Sequence, residues 1–258
     1  GRNLDWAIPR LNMNEVGAVS AAGADLAITT TSATRAIYGR LLYGGTQITS
    51  GTVRALLLPL GSDVPVRFSS AAFSASSLYL FNNLADGYYR ISAFIDVNGN
   101  FIPEAGEPIG FSVSTGVYFS GTTQPDSDLV LCDRQSIVQG AELHHSLSAS
   151  DCPAVDHNGA AQKLYTFVGR RGQPVTIAMD GENELYDTFL NLYGPNGALL
   201  TSDDESGGNG NAAIKDFILP YDGLYTIGAA VFAPCVFGDF KLSFLGSSGS
   251  LGSIAGRI

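Results

Sequence analysis

The sequence is poor in charged residues and contains almost no lysine. Only 15% of its 258 residues are charged, and lysine occurs at Lys163, Lys215 and Lys241 alone. Because Asp and Glu number 24 against 14 for Lys and Arg, the formal net charge is −10 at pH 7. Nucleic-acid-binding proteins need a basic surface, and anionic membranes attract basic segments. The composition therefore argues against nucleic acid as a partner and favours a soluble, exported protein.

The sequence also lacks long apolar runs and the common catalytic motifs. No run approaches the roughly 18–20 apolar residues of a membrane-spanning helix, so we expect no membrane insertion. Neither Gly-x-Ser-x-Gly nor His-Glu-x-x-His occurs, which removes the hydrolase nucleophile elbow and the metalloprotease zinc motif. The only histidines are His144, His145 and His157, and a serine-rich segment offers Ser-His-Asp sets by chance. We predict that the chain has no catalytic residues and is not an enzyme.

Cysteine is scarce, with Cys132, Cys152 and Cys235 as the only examples. Their number is odd and no Cys-x-x-Cys occurs, which argues against a zinc ribbon or a thioredoxin-like motif. One disulfide is expected in an exported protein. We predict a Cys152–Cys235 disulfide, which would tie the start of a second domain to its last loop. The alternatives are a Cys132–Cys152 disulfide and three buried thiols.

Glycine and aromatic residues are abundant instead. The chain contains 31 Gly, 14 Phe and 11 Tyr, which suit short strands joined by turns better than helices. Between residues 185 and 229, apolar segments at roughly ten-residue spacing end in turns such as Pro195-Asn196-Gly197, a pattern typical of β sandwiches. A length of 258 residues allows two medium-sized domains. We predict an all-β protein made of two β-sandwich domains.

Changes in composition divide the predicted protein into five parts. Both ends differ from the middle, so we expect extended N- and C-terminal arms beside the sandwiches. Because the chain begins at Gly1 rather than Met, we also expect a processed mature chain or a fragment of a longer one. The predicted parts are an N-terminal arm (1–35), a first sandwich (36–131), a linker (132–140), a second sandwich (141–246) and a Gly/Ser-rich tail (247–258).

The N-terminal arm contains one alternating stretch. Ala22, Ala24, Leu26 and Ile28 would form one apolar face of a strand. No second strand is predicted within the arm, so this strand would pair with a sheet edge of its own domain or of a neighbouring molecule. We predict that it is an assembly element and that the protein forms a homo-oligomer or filament.

The strongest candidate site is the acidic loop at residues 96–107. If Asp96 is position 1 of a twelve-residue calcium loop, oxygen-bearing side chains stand at positions 1, 3, 5, 9 and 12. Calcium takes six to eight oxygen ligands. The loop resembles the calcium loops of bacterial surface-adhesin β repeats, although Phe101 stands where a helix-flanked calcium loop carries glycine. The alternative is a tight turn at Asn98-Gly99 with solvated carboxylates. The predicted calcium ligands are Asp96, Asn98, Asn100, the Ile102 carbonyl, Glu104 and Glu107.

Three features of residues 36–131 point to a known class of module. They are an opening Tyr38-Gly39-Arg40 strand, a corner at residues 83–89 and the Asp-Val-Asn-Gly-Asn loop that starts at Asp96. Together they resemble the transthyretin-like or carboxypeptidase-regulatory-like modules of bacterial surface proteins. The resemblance implies an Ig-like sandwich without catalytic residues.

A series of short motifs runs through residues 141–246 in a fixed order. They are Leu164-Tyr165-Thr166-Phe167, Gly172-Gln173-Pro174-Val175, Asp187-Thr188-Phe189-Leu190, Gly194-Pro195-Asn196-Gly197, Asp203-Asp204, Leu219-Pro220 and Gly223-Leu224-Tyr225. The series resembles the bacterial pre-peptidase C-terminal domain, which implies a jelly-roll-like sandwich. Lys163 departs from that family, which more often has an acidic residue before the Leu-Tyr-x-Phe strand.

The resemblance also points to a weaker acidic group in the second sandwich. Some relatives, the collagen-binding domains of bacterial collagenases, hold calcium near the start of the sandwich. Turn-forming side chains are the alternative interpretation, and the pattern favours it. The residues of this weaker metal candidate are Asp180, Glu182, Asn183 and Asp187.

A glycan or peptide groove would need exposed aromatic side chains. Most of the tyrosines concerned stand at strand positions, so a place in the core or on a sheet face is the safer interpretation. The tyrosines considered are Tyr79, Tyr88, Tyr89, Tyr118, Tyr186 and Tyr221.

The sequence as a whole predicts a non-catalytic bacterial protein, located extracellularly or at the cell surface. We expect a structural subunit that associates through its terminal arms. One alternative, implied by the pre-peptidase resemblance, is an accessory module of a secreted peptidase or other hydrolase. Another is an adhesin that binds an extracellular protein or polysaccharide.

Overall fold

The computed structural model describes residues 35–121, 124–125, 128–182 and 187–246, and this part of the chain contains β-strands and no helix. The predicted all-β class is confirmed. No described segment is a helix long and apolar enough to cross a membrane. The strands in chain order are β1 (Ile37–Tyr43), β2 (Thr52–Pro59), β3 (Arg67–Ala72), β4 (Ser76–Phe81), β5 (Gly87–Asp96), β6 (Ile109–Phe111), β7 (Val117–Phe119), β8 (Gln124–Pro125), β9 (Leu129–Leu131), β10 (Arg134–Ser136), β11 (Glu142–Leu147), β12 (Cys152–Pro153), β13 (Ala161–Gly169), β14 (Pro174–Gly181), β15 (Thr188–Tyr193), β16 (Leu199–Asp203), β17 (Ala212–Ile218), β18 (Gly223–Val231) and β19 (Gly238–Gly246).

The first sandwich consists of two sheets. Sheet 1 has the order β4-β1-β8, with β9 also paired to β1, and sheet 2 has the order β3-β2-β5-β6, with β7 paired to β5. Alternate residues of each strand point to the same side of a sheet. On β1 the alternation places Ile37 and Leu41 against Ile91 and Ile95 of β5, in a core that lies between the two sheets.

The second sandwich follows the same plan. Sheet 3 has the order β10-β13-β18-β15-β16, with β12 paired to β13, and sheet 4 has the order β11-β19-β14-β17. Its core is formed by side chains such as Tyr165 and Leu192 from sheet 3 and Ile177 and Phe240 from sheet 4, all fully buried.

A third core joins the two sandwiches. Strand β5 is buried on both faces, with eight consecutive buried residues at 89–96. The outer face of sheet 2 packs on the outer face of sheet 3, where the rings of Phe111 and Tyr193 stack with centroids 5.0 Å apart. The four sheets therefore form one stack. We call this set the joint core, and its buried members are Leu56, Leu58, Phe94, Ile109, Phe111, Cys132, Leu164 and Tyr193.

The predicted linker at 132–140 contributes to this joint instead of spanning open space. Strand β10 pairs in parallel with β13, with Arg134 opposite Leu164. Cys132 forms an antiparallel bridge to Ile109, and Arg134 is buried. The sequence of such a short segment does not reveal a parallel pairing with a strand of the second sandwich.

The structure pairs Cys132 with Cys152, so the predicted Cys152–Cys235 disulfide is wrong. The Cα atoms of Cys132 and Cys152 are 5.9 Å apart, and 20 residues separate them in sequence. Cys152 stands on β12, beside the joint core, whereas Cys235 is an exposed free thiol in the β18–β19 connection. The disulfide therefore links the end of the first sandwich to the start of the second.

Several predictions concern residues outside the described part of the chain. Most of the N-terminal arm and the Gly/Ser-rich tail lie there, as does Asn183 of the weaker acidic group. The role of the arm in assembly stays a prediction. Its proposed apolar face consists of Ala22, Ala24, Leu26 and Ile28.

Replacement of Cys152 by alanine should destabilise the protein, whereas replacement of Cys235 by alanine should not. Closure of a 20-residue loop contributes about 3 kcal/mol in the chain-entropy account of disulfides. Thermal unfolding should show a clear loss for Cys152→Ala, and thiol titration of the native wild type should find one reactive cysteine. Equal losses for the two variants would contradict this pairing.

Candidate functional site

Asp96, the first residue of the predicted calcium loop, lies at the end of β5 and is fully buried. Its Oδ1 accepts hydrogen bonds from the main-chain N–H groups of Gly99 (2.8 Å) and Asn100 (3.1 Å). Its Oδ2 accepts from the N–H of Phe101 (3.1 Å) and from the Arg54 guanidinium. Burial raises the pKa of Asp96, but the hydrogen bonds from Arg54 and from the loop amides outweigh it and leave that pKa below its ordinary value. Asp96 thus closes the loop as an anion.

The other predicted ligands close the far side of the same loop. Glu107 accepts hydrogen bonds from the N–H of Val97 (2.8 Å) and of Glu104 (2.9 Å), and its burial raises its pKa. The amides of Asn98 and Asn100 donate to the Glu104 carboxylate at 2.6 and 2.9 Å. The predicted side chains do come together, but they bind one another and the loop backbone.

Arg54 on β2 completes the loop and was not identified from the sequence. It forms a buried ion pair with Asp96, and its guanidinium lies over the ring of Phe101, 3.5 Å from the ring centroid. Phe101 adopts a left-handed backbone conformation with φ of +67°, which is unusual for a bulky residue. The cation–π contact with Arg54 explains why phenylalanine stands where a helix-flanked calcium loop carries glycine.

Arg54 changes the electrostatics of the loop that the sequence predicts to bind calcium. Across the described residues, no group of three or more His, Cys, Asp or Glu side chains is arranged to hold a metal ion. Arg54 supplies the positive charge next to Asp96 that calcium would otherwise supply. Ile102, the proposed carbonyl ligand, is exposed, and its N–H donates to the Asn100 side chain at 2.8 Å. Calcium binding here stays a prediction of the sequence.

The weaker acidic group is engaged in cross-strand pairs in the second sandwich. Asp180 pairs with Lys241 at 3.1 Å, and this hydrogen bond raises the pKa of Lys241. Glu182 pairs with the ring of His144 at 2.9 Å. The main-chain carbonyl of Asp187 accepts a hydrogen bond at 3.1 Å. The side chains of Asp180 and Glu182 therefore make cross-strand contacts, and metal binding by this group stays a prediction.

The acidic loop is held against the second sandwich by Arg134. Its guanidinium donates to the main-chain carbonyls of Glu107 (2.7 Å) and Glu104 (2.6 Å), and to the Thr226 hydroxyl at 3.4 Å. Burial lowers the pKa of Arg134 to about 10. Arg134 therefore couples a loop of sheet 2 to strand β18 of sheet 3.

A cleft of about 240 Å³ opens at the joint between the two sandwiches. One of its lining residues is Arg90 of β5, which is only 7% exposed. Among the described residues, the Arg90 side chain has no hydrogen-bond or ion-pair partner. Asn196 donates to the Asp63 carboxylate on one wall. The lining residues are Leu60, Gly61, Asp63, Arg90, Ser114, Asn196, Ala198, Leu199 and Tyr221.

Two exposed tyrosines lie beside this cleft. Tyr88 and Arg90 are two residues apart on β5 and therefore share one face of the sheet. Tyr88 stands opposite Tyr118 of β7, and their ring centroids are 4.7 Å apart. The two tyrosines are 53% and 51% exposed. Leu60, which lines the cleft, donates its main-chain N–H to the Tyr88 carbonyl at 2.8 Å. We call Leu60, Tyr88 and Tyr118 the aromatic shelf.

The sequence pattern favours the core or a sheet face for Tyr88 and Tyr118, and it does not identify Arg54, Arg90 or Arg134 as site residues. A signal was present for two of the arginines, since each interrupts an apolar strand. Arg54 stands in Val-Arg-Ala-Leu-Leu-Leu, and Arg90 in Tyr-Tyr-Arg-Ile-Ser-Ala-Phe. An isolated charge within a buried strand needs a partner or a function.

Comparisons with known proteins concern the second sandwich. Residues 161–230 match the family model described as the bacterial pre-peptidase C-terminal domain. This range runs from β13 through most of β18, and the predicted domain is confirmed there. The resemblance of residues 36–131 to transthyretin-like modules stays a prediction. A search of curated protein sequences found no match.

Two solved structures are similar to part of the chain. One is the pre-peptidase C-terminal domain of a collagenase from Bacillus anthracis, at 17% identity and a TM-score of 0.31, covering 44% of this chain and 95% of that one. The other is PliG from Aeromonas hydrophila, a periplasmic inhibitor of g-type lysozyme, at 17% identity and a TM-score of 0.30. That match covers 43% of this chain and 95% of the inhibitor.

Replacement of Asp96 by alanine should lower the melting temperature in chelator as well as in calcium. The contacts that are lost, to Arg54 and to three loop amides, are all made within the protein. Loss of one partner of a buried ion pair costs about 3 kcal/mol. Thermal unfolding in both buffers measures the effect, with Glu205→Ala as an exposed acidic control. A loss confined to calcium would instead establish the calcium site.

Proposed function

We propose that this chain, which carries a bacterial pre-peptidase C-terminal domain at residues 161–230, is a non-catalytic accessory unit of an exported bacterial protein. Its role is to present a fixed binding surface built by two sandwiches together. The observation that carries the proposal is the joint core, which locks the confirmed domain to its neighbour and leaves a polar cleft beside the contact.

The joint supports a fixed surface because three different interactions cross it. Apolar side chains of sheets 2 and 3 pack together, Arg134 connects the acidic loop to β18, and the Cys132–Cys152 disulfide closes the connection. Flexible neighbouring domains usually meet through small, polar contacts. A large apolar contact with a covalent link is suited to holding two surfaces in one orientation.

The environment of the histidines supports a non-catalytic role. His144 pairs with Glu182, His145 contacts the Tyr165 hydroxyl at 2.5 Å, and the ring of His157 contacts the Phe232 carbonyl. Tyr165 is a buried core residue, and burial raises the pKa of its phenol well above the ordinary value. Each histidine therefore has a structural partner where a hydrolase would need a nucleophile.

The disulfide and the matched domain support an extracellular or periplasmic location. Disulfides persist in oxidising compartments and are rare in the cytosol. Cys132 and Cys152 lie at the structural joint, so their bond is part of the fold and not an exposed redox pair. Self-association through the arms, which the sequence predicts, depends on residues outside the described part. It is the main rival to the accessory role.

Light scattering on the full chain and on a chain that lacks residues 1–34 tests this proposal against its rival. Arg35 is retained because it donates to the Leu84 carbonyl at 2.6 Å and pairs with Asp86. We expect monomers in both cases and no hydrolysis of casein or of nitrophenyl esters. Polymers that disappear on truncation would identify a structural subunit. Hydrolysis that is lost in His145→Ala would identify an enzyme.

A further inference from the structure

The three buried arginines of the joint differ in one respect. Arg54 pairs with Asp96, and Arg134 donates to two main-chain carbonyls. Arg90 is also a buried residue, yet its guanidinium has no hydrogen-bond or ion-pair partner among the described residues. A guanidinium carries five N–H donors. Arg90 lines the cleft, so its unpaired N–H groups are open to a ligand bound there.

The walls of the cleft add fixed polar groups beside Arg90. Asn196 is buried, and its side-chain oxygen accepts a hydrogen bond from the N–H of Ala198 at 2.9 Å. Its amide nitrogen donates to Asp63, which orients that carboxylate. Ser114 lines the cleft as well. A ligand in the cleft would therefore meet donors from Arg90 and acceptors from Asp63 in a fixed arrangement.

The charge around Arg90 favours a neutral ligand over an anion. Asp63 and Asp156 both lie close enough to stabilise the Arg90 cation electrostatically, although neither forms an ion pair with it. Two carboxylates around one guanidinium leave the local charge negative, and the chain carries a net charge of −10. An acidic glycan or a peptide carboxylate would be repelled by both, whereas a polyol would not.

We propose that this cleft binds a neutral saccharide unit. Vicinal hydroxyls of the sugar would accept from Arg90 and donate to Asp63. The aromatic shelf would carry the C–H face of the next unit, because an aromatic ring offers a flat apolar surface. This inference rests on the proposed function and names the ligand class of its binding surface. Pockets at domain interfaces with a few convergent polar groups are typical small-molecule sites.

Saturation-transfer NMR on the full chain tests the proposal with defined probes. The neutral probes are cellotetraose, chitotetraose, maltotetraose and mannotetraose. A galacturonic acid tetramer and a pentapeptide with a free carboxyl terminus represent the other occupants. We expect at least one neutral probe to bind with a dissociation constant of about 1 mM or tighter, with saturation strongest on the ring protons.

Variants assign this binding to the cleft. Arg90→Met and Tyr118→Ala should each weaken it by about tenfold, a difference of 1.4 kcal/mol. Arg67→Met is the matched control, because Arg67 is exposed on β3 and donates to the carbonyls of Asn82 and Asn83. Arg90→Met removes no hydrogen bond or ion pair within the described residues, so its melting temperature should fall less than that of Asp96→Ala.

Three results would overturn the proposal. They are the absence of saturation transfer to every neutral probe at about 10 mM, binding of only the acidic tetramer or the peptide, and unchanged sugar binding in Arg90→Met. A melting temperature of Arg90→Met that falls as far as that of Asp96→Ala would also overturn the proposal, because Arg90 would then serve to balance Asp63 and Asp156. None of these results bears on the oligomeric state or on hydrolysis. The light-scattering and hydrolysis experiments therefore test the proposed function separately.

Discussion

The packing of sheet 2 against sheet 3 is the constraint on which the rest of the structure depends. Strand β5 has no solvent-facing side over most of its length, because Ile91 and Ile95 point into the first core and Phe94 points into the joint core. Burial of apolar area contributes about 25 cal/mol per Å², so the eight buried members of the joint core stabilise the contact between the sandwiches. The acidic loop, the disulfide and the cleft all lie at the edges of this contact.

The charged residues that the structure buries are grouped around the same contact. In the described part of the chain they are Arg54, Arg90, Asp96, Glu107 and Arg134. Buried charges are tolerated when they are paired or hydrogen-bonded. Four of them satisfy one another or the loop backbone, which rigidifies the end of the joint. Arg90 has no such partner among the described residues and lines the cleft, which suits it to a binding role.

Much of the fold could be predicted from local pattern. Alternating apolar residues and turn-forming glycines indicated sandwiches, and ordered motifs identified the second domain. The joint could not be predicted, because Gln162, Thr166 and Asn191 on sheet 3 alternate with apolar residues as solvent-facing side chains do, yet all three are buried. The burial of these three side chains depends on packing against a sheet that is distant in sequence, and a local sequence pattern does not predict such packing. The loop ligands were found as a cluster, but Arg54 comes from another strand and its charge changes the chemistry of the loop.

The claim that the two sandwiches form one body is tested most directly by differential scanning calorimetry of the oxidised chain. The account predicts a single transition whose calorimetric enthalpy equals the van't Hoff enthalpy, as for a two-state unit. Two separate transitions with the Cys132–Cys152 disulfide intact would contradict it. They would mean that each sandwich is stable alone and that the joint core adds little.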